Sequence, residues 1–347
     1  MNEITPEGPP PTAPRRRRRL PTVLLGLLAL LAVGWSIVWW LARDRLDQEI
    51  TTRLAALGER GIRVACADRA LGGWPFRLEL ACAQAGVDVP TEGALASVAA
   101  LRVVAQIWDP RLVVVELDGP LVAERRDGPR LAGTWRRLRA SLRWSSAGVE
   151  RLSVAVDDLA LVADLPDRPR ATVRAAHLEA HVRPAGDTRR DLDLALSTAA
   201  AGLRLADRPV GPERADLDLA VRLADALPPG TGDPLAAFAR RGGRVAPITG
   251  RFAVAGIDVQ ARGDLVLRPD GLLDGTIGLA ARGLEGLAAA GPLLGAETAG
   301  LLGAFVLLGK PSTDPALPGR RLDLVVEAGR PRFGRIVMPQ MAPLFRP

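Results

Sequence analysis

The sequence predicts a mostly β protein: an N-terminal transmembrane helix followed by a large antiparallel sheet curled into a trough, open barrel or sandwich, with a few short helices. Three observations lead there. Leu20 to Ala42 runs without a single charge. From Ile62 onward, apolar residues recur with period two rather than 3.6. Turn pairs such as Asp118-Gly119, Asp127-Gly128, Asp270-Gly271 and Asp274-Gly275 punctuate the alternating runs.

The elements follow in chain order. Residues 1–19 read as a disordered cytoplasmic tail, rich in Pro, Thr and Glu, that ends in the five arginines Arg15 to Arg19. Residues 20–42 read as the membrane helix. At 1.5 Å per residue they reach about 34 Å, enough for a ~30 Å hydrocarbon core. Trp35, Trp39 and Trp40 lie towards the far end, where indole rings favour the interface. The positive-inside rule keeps the arginines in the cytoplasm and sends the rest across the inner membrane. A cleaved signal peptide is the competing reading, with Ala32-Val33-Gly34 as cleavage site. The apolar run continues past it through Leu41, which favours an uncleaved single-pass anchor.

Residues 43–61 form an amphipathic helical stalk. Leu46, Ile50, Leu54 and Leu57 fall on one helical face, and Gly61 is placed to end it. That face either lies on the first strands or pairs in a coiled coil. Residues 62–347 make the periplasmic β-rich domain. The clearest alternating runs are Phe76 to Cys82, Arg137 to Trp144, Asp191 to Leu196, Asp216 to Leu223 and Arg321 to Glu327. Asp233-Pro234 opens a short helix to Arg241. Gly283 to Gly309 reads as two packed helices rather than a second span, because its glycines, Pro292 and Glu297 suit a membrane poorly.

Composition narrows the function classes. The chain has 347 residues, 48% hydrophobic and 24% charged, which rules out wholesale disorder. Its net charge of +7 is concentrated at the N-terminus and dilute elsewhere, unlike a nucleic-acid footprint. Lys310 is the one lysine, Asn2 the one asparagine, and tyrosine is absent, a pattern that a GC-rich genome explains.

Cys66 and Cys82 flank Gly72-Gly73-Trp74-Pro75-Phe76 symmetrically. A hairpin centred on Trp74 would set them opposite each other, predicting a disulfide in an oxidising compartment; two free buried thiols are the alternative. His177, Glu179 and His181 form a H-x-E-x-H run. On a strand the two histidines would stand about 13 Å apart, too far for one zinc-like ion, so no metal and no cofactor is expected. Asp191, Asp193, Asp216 and Asp218 could serve glycoside hydrolysis in principle, but they repeat with the strand period, as cross-strand charge pairs do. No nucleophile elbow, phosphate loop or zinc-protease motif occurs, and no catalytic residue is assigned.

Amphipathic strands supply more apolar face than the few helices can cover. The sheet therefore either closes on itself or keeps an apolar lining, with Leu142, Trp144, Leu194, Leu217 and Leu219 as lining candidates. The first reading makes the chain an envelope scaffold. The second makes it a binder or carrier of lipids or other apolar molecules, with the bilayer as its standing partner.

At Gly73-Trp74-Pro75-Phe76-Arg77, with Cys82 following, the sequence resembles the domain-of-unknown-function 2125 family of Gram-negative envelope proteins. Further matches are Trp108-Asp109-Pro110-Arg111, Gly119-Pro120-Leu121 and the closing Gly329 to Leu344. The family carries no assigned activity. The resemblance implies architecture, one membrane helix and a β-rich remainder, and a loose likeness to periplasm-facing lipid-handling proteins of the AsmA-like sort.

Overall fold

The computed structural model describes residues 19–166, 168–187, 189–226, 234–287, 294 and 296–345. The tail and its first four arginines, and Asp233, expected to cap the short helix, lie outside the described residues. One helix, α1 (Arg19–Glu59), covers both the uncharged segment and the amphipathic stretch after it. Its end is a Schellman motif: Ile62 N–H bonds the Leu57 carbonyl, Gly61 N–H bonds the Gly58 carbonyl, and Gly61 takes φ 78°.

The sheet begins with a broken hairpin, β1 (Arg63–Ala67), β2 (Ala70–Gly72), β3 (Arg77–Cys82) and β4 (Gln84–Val89). β1 pairs with β4 and β2 with β3, and both β3 and β4 then pair with the long β5 (Ala94–Gln106). Next come β6 (Leu112–Arg125), β7 (Arg130–Thr134), β8 (Arg137–Ser145), β9 (Gly148–Asp164), β10 (Ala171–Ala185), β11 (Asp191–Leu205) and β12 (Arg208–Leu223). β7 and β8 share one row between β6 and β9. At the break between them Trp135 donates its indole N–H to the Leu117 carbonyl at 2.7 Å.

Helix α2 (Pro234–Arg240) interrupts the meander before β13 (Arg244–Val254), β14 (Ile257–Leu267) and β15 (Leu273–Arg282). A 3-10 turn at Leu284–Gly286 and helix α3 (Ala296–Leu308) occupy the segment read as two packed helices. Residues 288–293 between them lie outside the described residues. The chain closes with β16 (Lys310–Pro311), β17 (Arg320–Glu327), β18 (Arg330–Phe333) and β19 (Ile336–Val337).

All nineteen strands among the described residues belong to one antiparallel sheet. Among the described residues no pairing joins its last strands to its first, so it is an open sheet and not a closed barrel. Two apolar clusters gather where helices lie on it. Leu302 of α3, and Leu294 ahead of that helix, pack onto Ala215, Val254 and Ile257. α2 brings Phe238 and Ala239 onto Leu267. Both clusters sit on β12 and the strands after it.

Cys66 and Cys82 are joined, with Cα atoms 5.0 Å apart. The register differs from the symmetric hairpin expected. Arg63 faces Asp88 and Gly72 faces Glu79, so one register runs the whole hairpin and its centre falls between Pro75 and Phe76, not on Trp74. Cys66 therefore faces Ala85. The cysteines meet diagonally because the first strand breaks at Asp68, which takes φ 48°.

The bridge spans 16 positions of sequence, a loop worth about 3 kcal/mol in the chain-entropy model. The Cys66→Ser/Cys82→Ser variant should lose stability of that order in denaturant unfolding. Unfolded, unreduced protein should take up no thiol reagent, and two equivalents after reduction. Labelling before reduction would show that the bridge does not form.

Candidate functional site

The site is built from a seam between α1 and the first hairpin, and from the sheet face that the seam sets next to the helix. The seam is written at helical spacing: Trp35, Trp39, Arg43, Asp47 and Thr51 follow one another at intervals of four and so share a face. The Trp35 indole N–H donates to the Pro75 carbonyl at 2.7 Å and that of Trp39 to the Arg77 carbonyl at 2.9 Å. Arg43 Nε donates to the Leu71 carbonyl at 3.1 Å, and Arg69 Nη2 reaches Asp47 Oδ1 at 2.8 Å. Trp39 is only 8% exposed. An indole buried with its N–H satisfied contributes both apolar area and a hydrogen bond. Sequence reading took the tryptophans only as interfacial anchors; the stripe of four-residue steps was the signal that they also dock.

The turn at Gly73–Phe76 has the conformation that its residues demand. Gly73 takes φ 100°, and a Cβ there would lie 2.7 Å from the Arg77 carbonyl oxygen. The Trp74-Pro75 peptide is cis. Phe76 meets Trp108 edge to face, with ring centroids 5.8 Å apart. Asp109 accepts from Arg143 at 3.0 Å, and Trp144 N–H bonds the Arg111 carbonyl. The Gly73–Phe76 and Trp108–Arg111 motifs thus converge at one end of the sheet, with Trp144 beside them.

Antiparallel register carries one face across the whole sheet. A first row runs Leu78, Ala105, Val113, Leu142, Leu152, Val182, Leu194, Val221 and Ile248, each facing the next. A second runs Leu80, Val103, Val115, Ala140, Val154, Ala180, Leu196, Leu219, Gly250, Ala261 and Leu279. A third runs Cys82, Leu101, Leu117, Leu138, Val156, Leu178, Thr198, Leu217 and Phe252. No charged side chain interrupts these rows. Leu142, Leu194, Leu217 and Leu219 all stand on this face, half-buried. Trp144 lies past a register shift at the strand end and is 38% exposed.

Sequence reading missed the part of this face that α1 overhangs. Under α1 lies a cavity of about 280 Å³ lined by Ile50, Leu54, Leu80, Leu101, Leu117 and Leu121, together with the disulfide. Its lining is apolar apart from Arg69 and Ser97. None of the five lining candidates borders it. The stalk face of Ile50 and Leu54 is therefore spent on the first strands, not on a coiled coil.

The opposite face is charged and internally paired. Arg139 reaches Glu116, Arg137 reaches Asp157 at 3.0 Å, and Asp193 takes Arg222 at 2.7 Å and Arg183 at 3.0 Å. Asp218 accepts from Ser197 at 2.6 Å, Asp216 from the Ala200 N–H and Asp191 from the Asp225 N–H. The guanidiniums of Arg222 and then Arg183 hold the Asp193 carboxyl below the usual range. These aspartates serve cross-strand pairing and turn closure.

His177, Glu179 and His181 lie on β10, on this same face. His177 Nδ1 is 2.8 Å from Asp157 and its Nε2 is 3.1 Å from Glu179. His181 Nδ1 bonds Ser153. Among the described residues no group of three His, Cys, Asp or Glu side chains could hold a metal ion.

The Asp157 carboxylate, and after it Glu179, raise the His177 pKa above its ordinary value, while His177 and Arg137 lower that of Asp157. His177 therefore adds stability that is present below its unfolded pKa of about 6.5 and is lost as pH rises through the raised folded value. Asp157 adds stability that is lost as pH falls through its depressed value. An NMR titration should place the His177 midpoint above about 6.5, and Asp157→Asn should lower it. A midpoint unmoved by that substitution would contradict the pairing.

No curated protein matches the chain, and no solved structure does. One family model matches residues 39–339, described as an uncharacterized protein conserved in bacteria (DUF2125). The match begins at Trp39, on the docking seam, and takes in the hairpin, the disulfide and all nineteen strands. The second half of α1, from Trp39 on, and the sheet are thus the unit this model describes, and the chain belongs to the DUF2125 family of proteins conserved in bacteria.

Proposed function

We propose that this chain is a single-pass protein of the inner membrane, its N-terminus in the cytoplasm and its sheet in the periplasm. There the sheet offers its apolar face to lipids or other apolar molecules of the envelope. The role is one of binding or passing on rather than catalysis. The observation that carries the reading is the apolar face itself: three uncharged rows that each cross at least nine strands. Water contact with such a surface is unfavourable by about 25 cal/mol per Å². The helix contacts lie at its two ends, α1 over β3–β6 and α2 and α3 over β12–β15. Between them the apolar residues of β8–β11 are mostly half-buried, with Val156 and Ala175 as the fully buried ones. The long uncharged span of α1 supports anchoring, and the disulfide suits an oxidising compartment.

The scaffold reading makes the opposite demand, a core closed on its own side chains. Leu142→Asp and Leu219→Asp separate the two. In protein purified gently in mild detergent, mass spectrometry should find several-fold less bound lipid on either variant than on the native chain, with circular dichroism unchanged. All three carry the same α1, so annular lipid cancels. A native chain with no more lipid than the variants, or variants that unfold as an unpaired buried carboxylate would make them, would favour the scaffold.

A further inference from the structure

The seam fixes how deep the sheet sits. Trp35 lies fifteen residues after Leu20, about 22 Å along the helix, and eight residues before Arg43, about 12 Å. A hydrocarbon core of ~30 Å is not yet crossed at Trp35. Lifting Trp35 clear of the bilayer would draw Arg19 about 6 Å into hydrocarbon and shorten the span below the ~30 Å core. The Pro75 carbonyl is bonded to Trp35, so the Gly73–Phe76 turn stands at the same level.

The direction agrees. Passing along α1 from Trp35 to Asp47 moves the partner from Pro75 through Leu71 to Arg69. α1 therefore runs alongside β2, and the turn points towards the membrane-spanning half of the helix. The side chains at this end suit an interface. Trp74, Phe76 and Trp108 are 59%, 56% and 61% exposed, unusual for large aromatics facing water. Arg111 is exposed in the same loop as Trp108. Indoles at headgroup depth with a basic residue beside them make an interfacial belt.

We propose that the aromatic end of the sheet, Trp74 and Phe76 of the turn with Trp108 of the next loop, is inserted in the outer interface of the same phospholipid bilayer that holds α1. The sheet then stands on the membrane with its first strands upright, and its apolar face begins at the lipid surface. This rests on α1 spanning the bilayer and not on lipid being bound along the sheet.

The full chain in vesicles of phosphatidylethanolamine and phosphatidylglycerol provides the test. Its own cysteines are bridged, so Trp74→Cys, Trp108→Cys, Thr91→Cys and Leu28→Cys can each carry one nitroxide. Thr91 lies in the turn at the other end of the hairpin. Accessibility to oxygen relative to a water-soluble nickel complex should be several-fold higher at 74 and 108 than at 91, and highest at 28. Because 74 and 108 report independently, misfolding of one variant leaves the other as readout. Ratios at 74 and 108 equal to that at 91, with 28 dry, would overturn the proposal alone. A wet label at 28 would overturn the anchor and the proposal with it.

Discussion

Antiparallel register transmits the parity of a residue from strand to strand, and the rest of the structure depends on that transmission. Once Leu80 faces Val103, each following partner is bound to the same face, through Val115, Ala140 and Val154 to Leu279. A slip of one residue anywhere would exchange the leucines with arginines and aspartates. The charged face guards against this. Arg139 with Glu116, and Asp193 between Arg183 and Arg222, match across strands only in the observed register. Exposed pairs of this sort add little stability each. Their work is to make the wrong register unfavourable.

The second constraint is the seam. Three backbone carbonyls of the first hairpin accept from side chains of one helical stripe, so the anchor and the sheet are coupled rather than joined by a free linker. The disulfide lies behind the same hairpin and holds its two halves where the ladder breaks at Asp68. The cavity under α1 follows from both: Ile50 and Leu54 can lie over Leu101 and Leu117 only because Arg43 and Asp47, on the neighbouring stripe, are already fixed.

What could be read in the sequence follows the same physics. Alternation was plain wherever charge filled the outward positions, as in Arg137 to Trp144 and Asp216 to Leu223, and both became strands. It was hidden where alanine occupied both faces, as in β5 and the Ala199 to Ala201 stretch of β11. The disulfide was visible from symmetry, but its register was not. Symmetry about Trp74 presumes an unbroken ladder, whereas a single left-handed residue at Asp68 lets the cysteines meet on the diagonal. The lining candidates Leu142, Leu194, Leu217 and Leu219 were chosen by period and stand on the apolar face. The cavity under α1 was out of reach, because it arises between the helix and several strands and no single strand's pattern contains it.

The central claim is that one face of this sheet meets lipid and the other meets water. Leu196 and Ser197 are chain neighbours on β11 that point to opposite faces, Leu196 towards Leu219 and Ser197 towards Asp218. A photo-crosslinking amino acid placed at each position in turn, activated in intact cells, addresses the claim directly. Lipid adducts at 196 with none at 197 are the predicted result. Adducts at neither, or equally at both, would contradict it.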